Sequence, residues 1–352
     1  MDFATWDALR CGTELLAPPI SDQIYCHYTT PAAFPSIFKD YIGDVQRGPI
    51  TKCVMRASHI RFMNDSREYL DGCRWVKSHS KDLQKDEFYE FNDDMYSISF
   101  CGDEDLLSQW KWYGKNSGIA ITFDMPNIKF KYYDVKCEGL PDEDSSTRPL
   151  PINHTYKEKK EYFEKIDQYC KKKQLNQSSM LFRGNLFIPF CKDKSFKEEK
   201  ESRLIFYTAD ADTMEQAGIA PFKINYIVSG NIIKPTLGVE FRAKDPSRGI
   251  VQKLTVGPGQ DQELVYQALV HILCKKFPTG RQHGKITAHG VTIQNQRHHF
   301  EAERKRIWLL PLCAGGDMLR CIDPVIDFYR WIHSSRTSNI LRAYPQISDE
   351  RG

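Results

Sequence analysis

Apolar positions recur along this chain at two spacings, every second residue and every third or fourth, and these divide it into short strands and helices. Gln23–Tyr28 is apolar and β-prone and stops at Thr29-Thr30-Pro31. Thr30 as N-cap and Pro31 at the first helical position predict a helix there, with Ala33, Ile37, Phe38 and Tyr41 as its inward stripe. A short strand is expected around Cys53–Arg56. A helix capped by Asn64, Asp65 or Ser66 should then run to about Val76, with Tyr69, Leu70, Cys73 and Val76 at helical spacing. Met95–Cys101 alternates: Ser97 and Ser99 fall on one face, Ile98 and Phe100 on the other. Leu107–Gly114 leads into the buried strand Ile119–Phe123. The stretch 138–152 is acidic and rich in Pro and Ser, and reads as a loop. A helix follows over 156–173, with Tyr162, Phe163, Ile166, Tyr169 and Cys170 inward. Strands are expected at 222–228, 231–241, 251–256 and 285–294, and helices at 261–277 and 323–334. Strands and helices mix without a regular βαβ alternation, so the fold class is α+β, with mixed or antiparallel sheets and flanking helices. Residues 1–299 form the main domain. Residues 300–352 form an extension expected to pack on it or to offer a partner surface.

The run Lys192-Asp193-Lys194-Ser195-Phe196-Lys197-Glu198-Glu199-Lys200-Glu201-Ser202-Arg203 changes the picture most. Ser195 and Glu198 have the spacing of a capping box, which predicts a short helical turn before a strand. If the strand begins at 199, alternation points Glu199, Glu201 and Arg203 to one face. Two carboxylates and a guanidinium on one face are costly in a core. They make sense where a polar ligand or a developing positive charge is held.

The chain has 352 residues and a formal net charge of +3, too small to imply nucleic-acid binding by itself. The lysines of 157–173 are interleaved with Glu158, Glu161 and Glu164, which reads as a solvated helix face. Eleven cysteines are scattered without a Cys-x-x-Cys pair, which argues for reduced thiols in a cytosolic protein. No signal-like N-terminus and no membrane-length apolar run is present, so a cytoplasmic protein without membrane contact is expected. No Gly-x-Gly-x-x-Gly, Walker or Gly-x-Ser-x-Gly motif occurs. His298, His299, Glu301 and Glu303 lack a metal-ligand pattern, and no metal is expected. Gly257-Pro258-Gly259 reads as a turn, with anion binding at the following helix as the other reading.

Four polar clusters sit at strand ends: His27 to Thr30, Ser97 with Ser99, Gln109 to Tyr113, and Glu199 to Arg203. Taken one at a time, each has an ordinary explanation: a structural histidine, a helix cap, core aromatics, a salt bridge. Together they supply the parts of a nucleotide site.

The ordered motifs are His-Tyr-Thr-Thr, Phe62 to Glu68, Ser-x-Ser-Phe and Leu-Ser-x-Trp-x-x-Tyr-Gly with Ser-Gly-Ile-Ala-Ile. Lys-x-x-Ser-Phe-x-Glu-Glu-x-Glu-x-Arg and a late Val-Gly-Pro follow. Over about residues 24–275 this resembles the bacterial family DUF2971, some members of which resemble abortive-infection proteins. A looser resemblance is to ADP-ribosyltransferases, which carry a His or Arg, then a Ser-Thr-Ser or Tyr, then a Glu on successive strands. The spacings here are long, and Ile98 stands where the middle Thr would be. That resemblance implies NAD as substrate, with His27 on its ribose and Tyr113 stacked on nicotinamide. Glu201 would stabilise the oxocarbenium-like transition state and Glu199 would orient the acceptor. Tyr28, Thr29, Ser97, Ser99, Trp110 and Arg203 would complete the site.

The leading expectation is therefore an ADP-ribosyltransferase-like effector or toxin of phage defence. It would move ADP-ribose to a protein or nucleic-acid acceptor and have a partner or antitoxin protein. The rival is a non-catalytic sensor that binds a nucleotide or phage component on the same fold. A metal-dependent nuclease-like toxin is a third reading, in which Arg203 would compete with metal for the carboxylates.

Overall fold

The computed structural model describes residues 3–16, 23–43, 48–63, 66–79, 95–114, 117–136, 147–172, 180–229, 231–274, 286–288 and 291–295. The predicted helix 323–334 and the extension lie outside these. The helices are α1 (Phe3–Leu16), α2 (Phe34–Ile37), α3 (Lys39–Gly43), α4 (Ser66–His79), α5 (Leu107–Gln109), α6 (Tyr156–Lys172), α7 (Met180–Phe187), α8 (Ala211–Gln216) and α9 (Gln262–Cys274). The strands are β1 (Cys26–Thr29), β2 (Lys52–His59), β3 (Met95–Phe100), β4 (Ile119–Phe123), β5 (Ile128–Lys131), β6 (Leu150–Pro151), β7 (Ser202–Tyr207), β8 (Ile224–Ser229), β9 (Ile232–Ala243), β10 (Val251–Val256), β11 (Ile286–Ala288) and β12 (Val291–Asn295).

These strands form two sheets. One runs β1-β4-β10-β12-β11; the other runs β5-β9-β2-β3-β7-β6, with β8 added on β9. The β10–β12 pair is parallel and the other strand pairs are antiparallel. The class is α+β, as the sequence pattern predicts.

The core lies between the sheets. A run of aromatic contacts crosses it: Tyr25 on Phe100, Phe100 on Phe123, Phe123 on Phe241, and Phe241 on Phe130. Strand alternation puts Phe100 and Ile98 on this inner face of β3 and Ser97 and Ser99 on the outer one. The outer face is covered by helices. Trp6 of α1 donates to the Tyr207 carbonyl at 2.8 Å, and Tyr162 of α6 donates to that of Leu186 in α7 at 3.1 Å. Tyr162, Ile166, Tyr169 and Cys170 are buried as the helical spacing requires.

Several boundaries differ from expectation. The helix predicted from Pro31 is a turn followed by α2 and α3. Thr30 Oγ1 caps that turn, accepting from the Ala33 N–H at 3.3 Å. Leu70 is exposed rather than inward on α4. The strand 285–294 is two strands, β11 and β12. Helices α1, α7 and α8 carry weak signals and add to the predicted set. Leu150–Pro151, read as loop, pairs with β7.

The largest correction concerns 193–203. Asp193, not Ser195, caps the turn: its Oδ1 accepts from the Ser195 N–H at 2.9 Å. A 3-10 helix spans Lys194–Glu199, and Lys200 ends it in the left-handed region at φ 45°. The strand therefore starts at Ser202 rather than Glu199.

Candidate functional site

The two sheets join where β1 meets the end of β3. Cys26 and Cys101 exchange backbone hydrogen bonds, N–H to carbonyl, at 2.9 and 2.7 Å. The next residue, Gly102, donates its N–H to the Glu199 and Lys200 carbonyls, and the Cys101 thiol donates to the Glu199 carbonyl at 2.9 Å. One seam thus links the backbones that carry His27, Ser99 and Glu199.

His27 places Nδ1 3.1 Å from the Ser99 carbonyl, so the neutral imidazole donates there. Burial lowers its pKa, and the hydrogen bond opposes that only in part. Its ring packs against Phe100, on the inner face of β3. Thr29 and Ser97 are buried, and Ser97 Oγ has no hydrogen-bond partner among the described residues.

Tyr28 points to the opposite face of β1. Its hydroxyl donates to the Asp103 carbonyl and accepts from the Leu106 N–H, both at 2.9 Å. Burial pushes the phenol pKa far up. Its ring meets Trp110 edge-on at 4.6 Å, and Trp110 Nε1 donates to Asp105 at 3.0 Å. Trp110 also covers Gly257: a Cβ there would come within 2.4 Å of the indole. That contact accounts for the glycine at this turn.

Trp110 anchors a π-helical turn, Trp110–Gly114. Such turns recur at functional sites. Trp112 is 68% exposed and Tyr113 38% exposed, and the Lys111 ammonium sits 5.7 Å from the Trp112 ring centroid.

A five-residue ion cluster lies on the outer face of β3 and β7. Arg203 Nε donates to Glu201 Oε1 at 2.6 Å, Nη2 to Glu68 at 2.5 Å and Nη1 to the Pro189 carbonyl at 2.9 Å. Lys192 Nζ lies 2.7 Å from Glu199, 2.8 Å from Glu201 and 3.1 Å from Glu68. Every side chain in it is at most 13% exposed. Burial alone would raise the Glu201 pKa, but Arg203 and Lys192 outweigh it and hold the carboxyl well below the usual range. Glu199 meets Lys192 but not Arg203, and burial raises its pKa. Glu68 and Lys192 carry no predicted role, although both stand inside the quoted motifs.

The family described as "Protein of unknown function (DUF2971)" matches residues 109–204. Over that stretch the chain resembles DUF2971. No curated protein and no solved structure matches the chain. The DUF2971 stretch takes in the Trp110–Gly114 turn and four members of the ion cluster, Lys192, Glu199, Glu201 and Arg203. It leaves out His27, Tyr28, Thr29, Ser97, Ser99 and Glu68.

The predicted site residues fall into three groups. His27 lies on the inner face of β3, whereas Glu201 and Arg203 lie on the outer face that Ser99 shares, opposite Arg203 in register. Tyr28 and Trp110 form a separate small core with Tyr113 beyond it at the surface. Both Glu201 oxygens already accept from Arg203 and Lys192. Among the described residues no group of three or more His, Cys, Asp and Glu is placed to hold a metal ion. A cavity of about 600 Å³ runs along α6, lined by Leu150, Tyr162, Lys165, Tyr169 and Lys172 among others; no residue of the three groups lines it, although Leu150 pairs with Arg203 across β6 and β7.

Proposed function

We propose that this protein is a nucleotide-binding sensor of bacterial defence that does not turn its ligand over. The supporting observation is the π-helical turn. It offers the Trp112 and Tyr113 rings and the Lys111 ammonium to solvent while Trp110 holds it against the sheet. Exposed rings stack on a planar base, and a neighbouring ammonium meets a phosphate. The ion cluster supports the absence of turnover. A carboxylate that stabilises positive charge on a substrate must face it, and Glu201 is 6% exposed with both oxygens on protein cations. The DUF2971 resemblance, with its abortive-infection-like members, supports the defence role.

One observation favours the transferase reading. The backbones bearing His27, Ser99 and Glu199 share the seam between the sheets. In that reading Glu199, which Lys192 engages but Arg203 does not, is the less tightly held carboxylate. Calorimetry of the full chain with NAD, ATP and GTP, run beside a nicotinamide-release assay, separates the two. We expect saturable binding of at least one nucleotide, weakened in Trp112→Ala by about 1–3 kcal/mol, the worth of one stacked base. No nicotinamide should be released. Release that Glu199→Gln or Glu201→Gln abolishes would establish the transferase instead. Failure of all three nucleotides to bind would end the sensor reading.

A further inference from the structure

The β8–β9 hairpin has two unlike edges. On the β9 side, Lys234 and Pro235 protect the exposed arm, a charge and a residue without an N–H. On the β8 side, Ile224-Asn225-Tyr226-Ile227-Val228-Ser229 carries neither charge nor proline. Among the described residues β8 pairs with β9 alone, and none of them pairs with its far edge.

The register identifies which groups that edge presents. Tyr226 stands opposite Pro235. Proline cannot donate, so this is a pair without mutual hydrogen bonds, and the Tyr226 N–H and carbonyl point away from β9. Alternation makes Ile224 and Val228 the same. The side chains of this set share a face with their cross-strand partners. Tyr226 is 71% exposed, Val228 77% and Ile233 64%.

We infer that β8 is a homodimer edge that pairs antiparallel with β8 of a second copy about a two-fold axis at Tyr226. The geometry selects a second copy. Residues 224, 226 and 228 present outward donors and acceptors at two-residue spacing. In antiparallel self-pairing Tyr226 then meets the partner's Tyr226, and Ile224 meets the partner's Val228. Each pair exchanges both backbone bonds. A strand can pair with itself only if no like charges are brought together, and Ile224–Ser229 is uncharged. The contact is isologous and closes after two copies. It joins the two β9-containing sheets into one and covers Tyr226 and Val228 on both copies. One strand edge and its side chains bury less than the roughly 1,200 Å² of a standard interface, so the dimer is concentration-dependent.

Sedimentation velocity of the full chain over a hundredfold range of concentration tests this. The wild type should pass from monomer to dimer across the range. Val228→Lys places a charge at an exposed position, and Tyr226→Pro removes a donor that β9 does not use. Each should weaken the dimer at least tenfold with an unchanged far-ultraviolet circular dichroism spectrum. A chain that stays monomeric throughout, or a dimer that both variants leave intact, would overturn the inference.

Discussion

Arg203 is the residue on which most of the buried charge depends. Its guanidinium serves Glu201, Glu68 and the Pro189 carbonyl at once, at 2% exposure. Replacing it with methionine fills the volume but leaves three buried carboxylates, Glu68, Glu199 and Glu201, to the single ammonium of Lys192. Breaking a buried pair from one side costs about 3–5 kcal/mol, so Arg203→Met should lose about that much in urea unfolding. The same measurement against pH has a defined sign. Glu201 has a depressed folded pKa, so its contribution is complete above its unfolded value, about 4.3, and fades as pH falls below it. Glu199 works the other way: its pKa is raised, so it takes up a proton first and eases the cluster as pH drops toward that value. Stability should therefore hold down to about pH 4.5 and then fall, with a shallower fall in Arg203→Met. An equally steep acid loss in the variant would contradict this account. The sequence showed Glu199, Glu201 and Arg203 as a polar set but not that Lys192 and Glu68 close it. Glu68 comes from a helix more than a hundred residues upstream of Arg203, and local periodicity says nothing about that distance.

At the level of elements, local signals were legible where the chain decides its own conformation. Ser97/Ser99 against Ile98/Phe100 keep their alternate faces in β3, and α6 buries the stripe its spacing predicts except Phe163, which is half-buried. A capping box does occur, but at Thr155 and Glu158: the Glu158 N–H donates to Thr155 Oγ1, and Glu158 Oε2 accepts from the Thr155 N–H at 2.9 Å. The Ser195/Glu198 spacing was equally good as a pattern and lost to Asp193 two residues earlier. The β10–α9 turn is legible only in part. Gly257 reads as a turn residue, while the reason for it is Trp110, brought across from another segment. Gly257→Ala should displace the indole, with a shifted tryptophan emission maximum and a clear loss of stability, whereas Gly48→Ala, where nothing approaches the added carbon, should change neither. Unaltered emission in Gly257→Ala would show that the turn yields instead.

At the level of the whole molecule, two sheets share one core, so their relative placement rests on contacts between distant segments. Hence the α+β class was legible, whereas the side of β3 on which His27 meets it was not. That side is set by how β1 packs through Tyr25 and Phe100, a property of no single element. The five-stranded sheet adds a consequence in time. Its second strand, β4, lies between β1 and β10, whose residues lie on either side of it in the chain. During synthesis β1 and β4 emerge early and β10 only after Val251. At roughly 5–20 residues per second, one side of β4 waits on the order of ten seconds for its neighbour. Over that interval the nascent chain displays Ile119-Ala120-Ile121-Thr122-Phe123 as an open edge. An edge left open in this way is a site for pairing with another chain until β10 arrives.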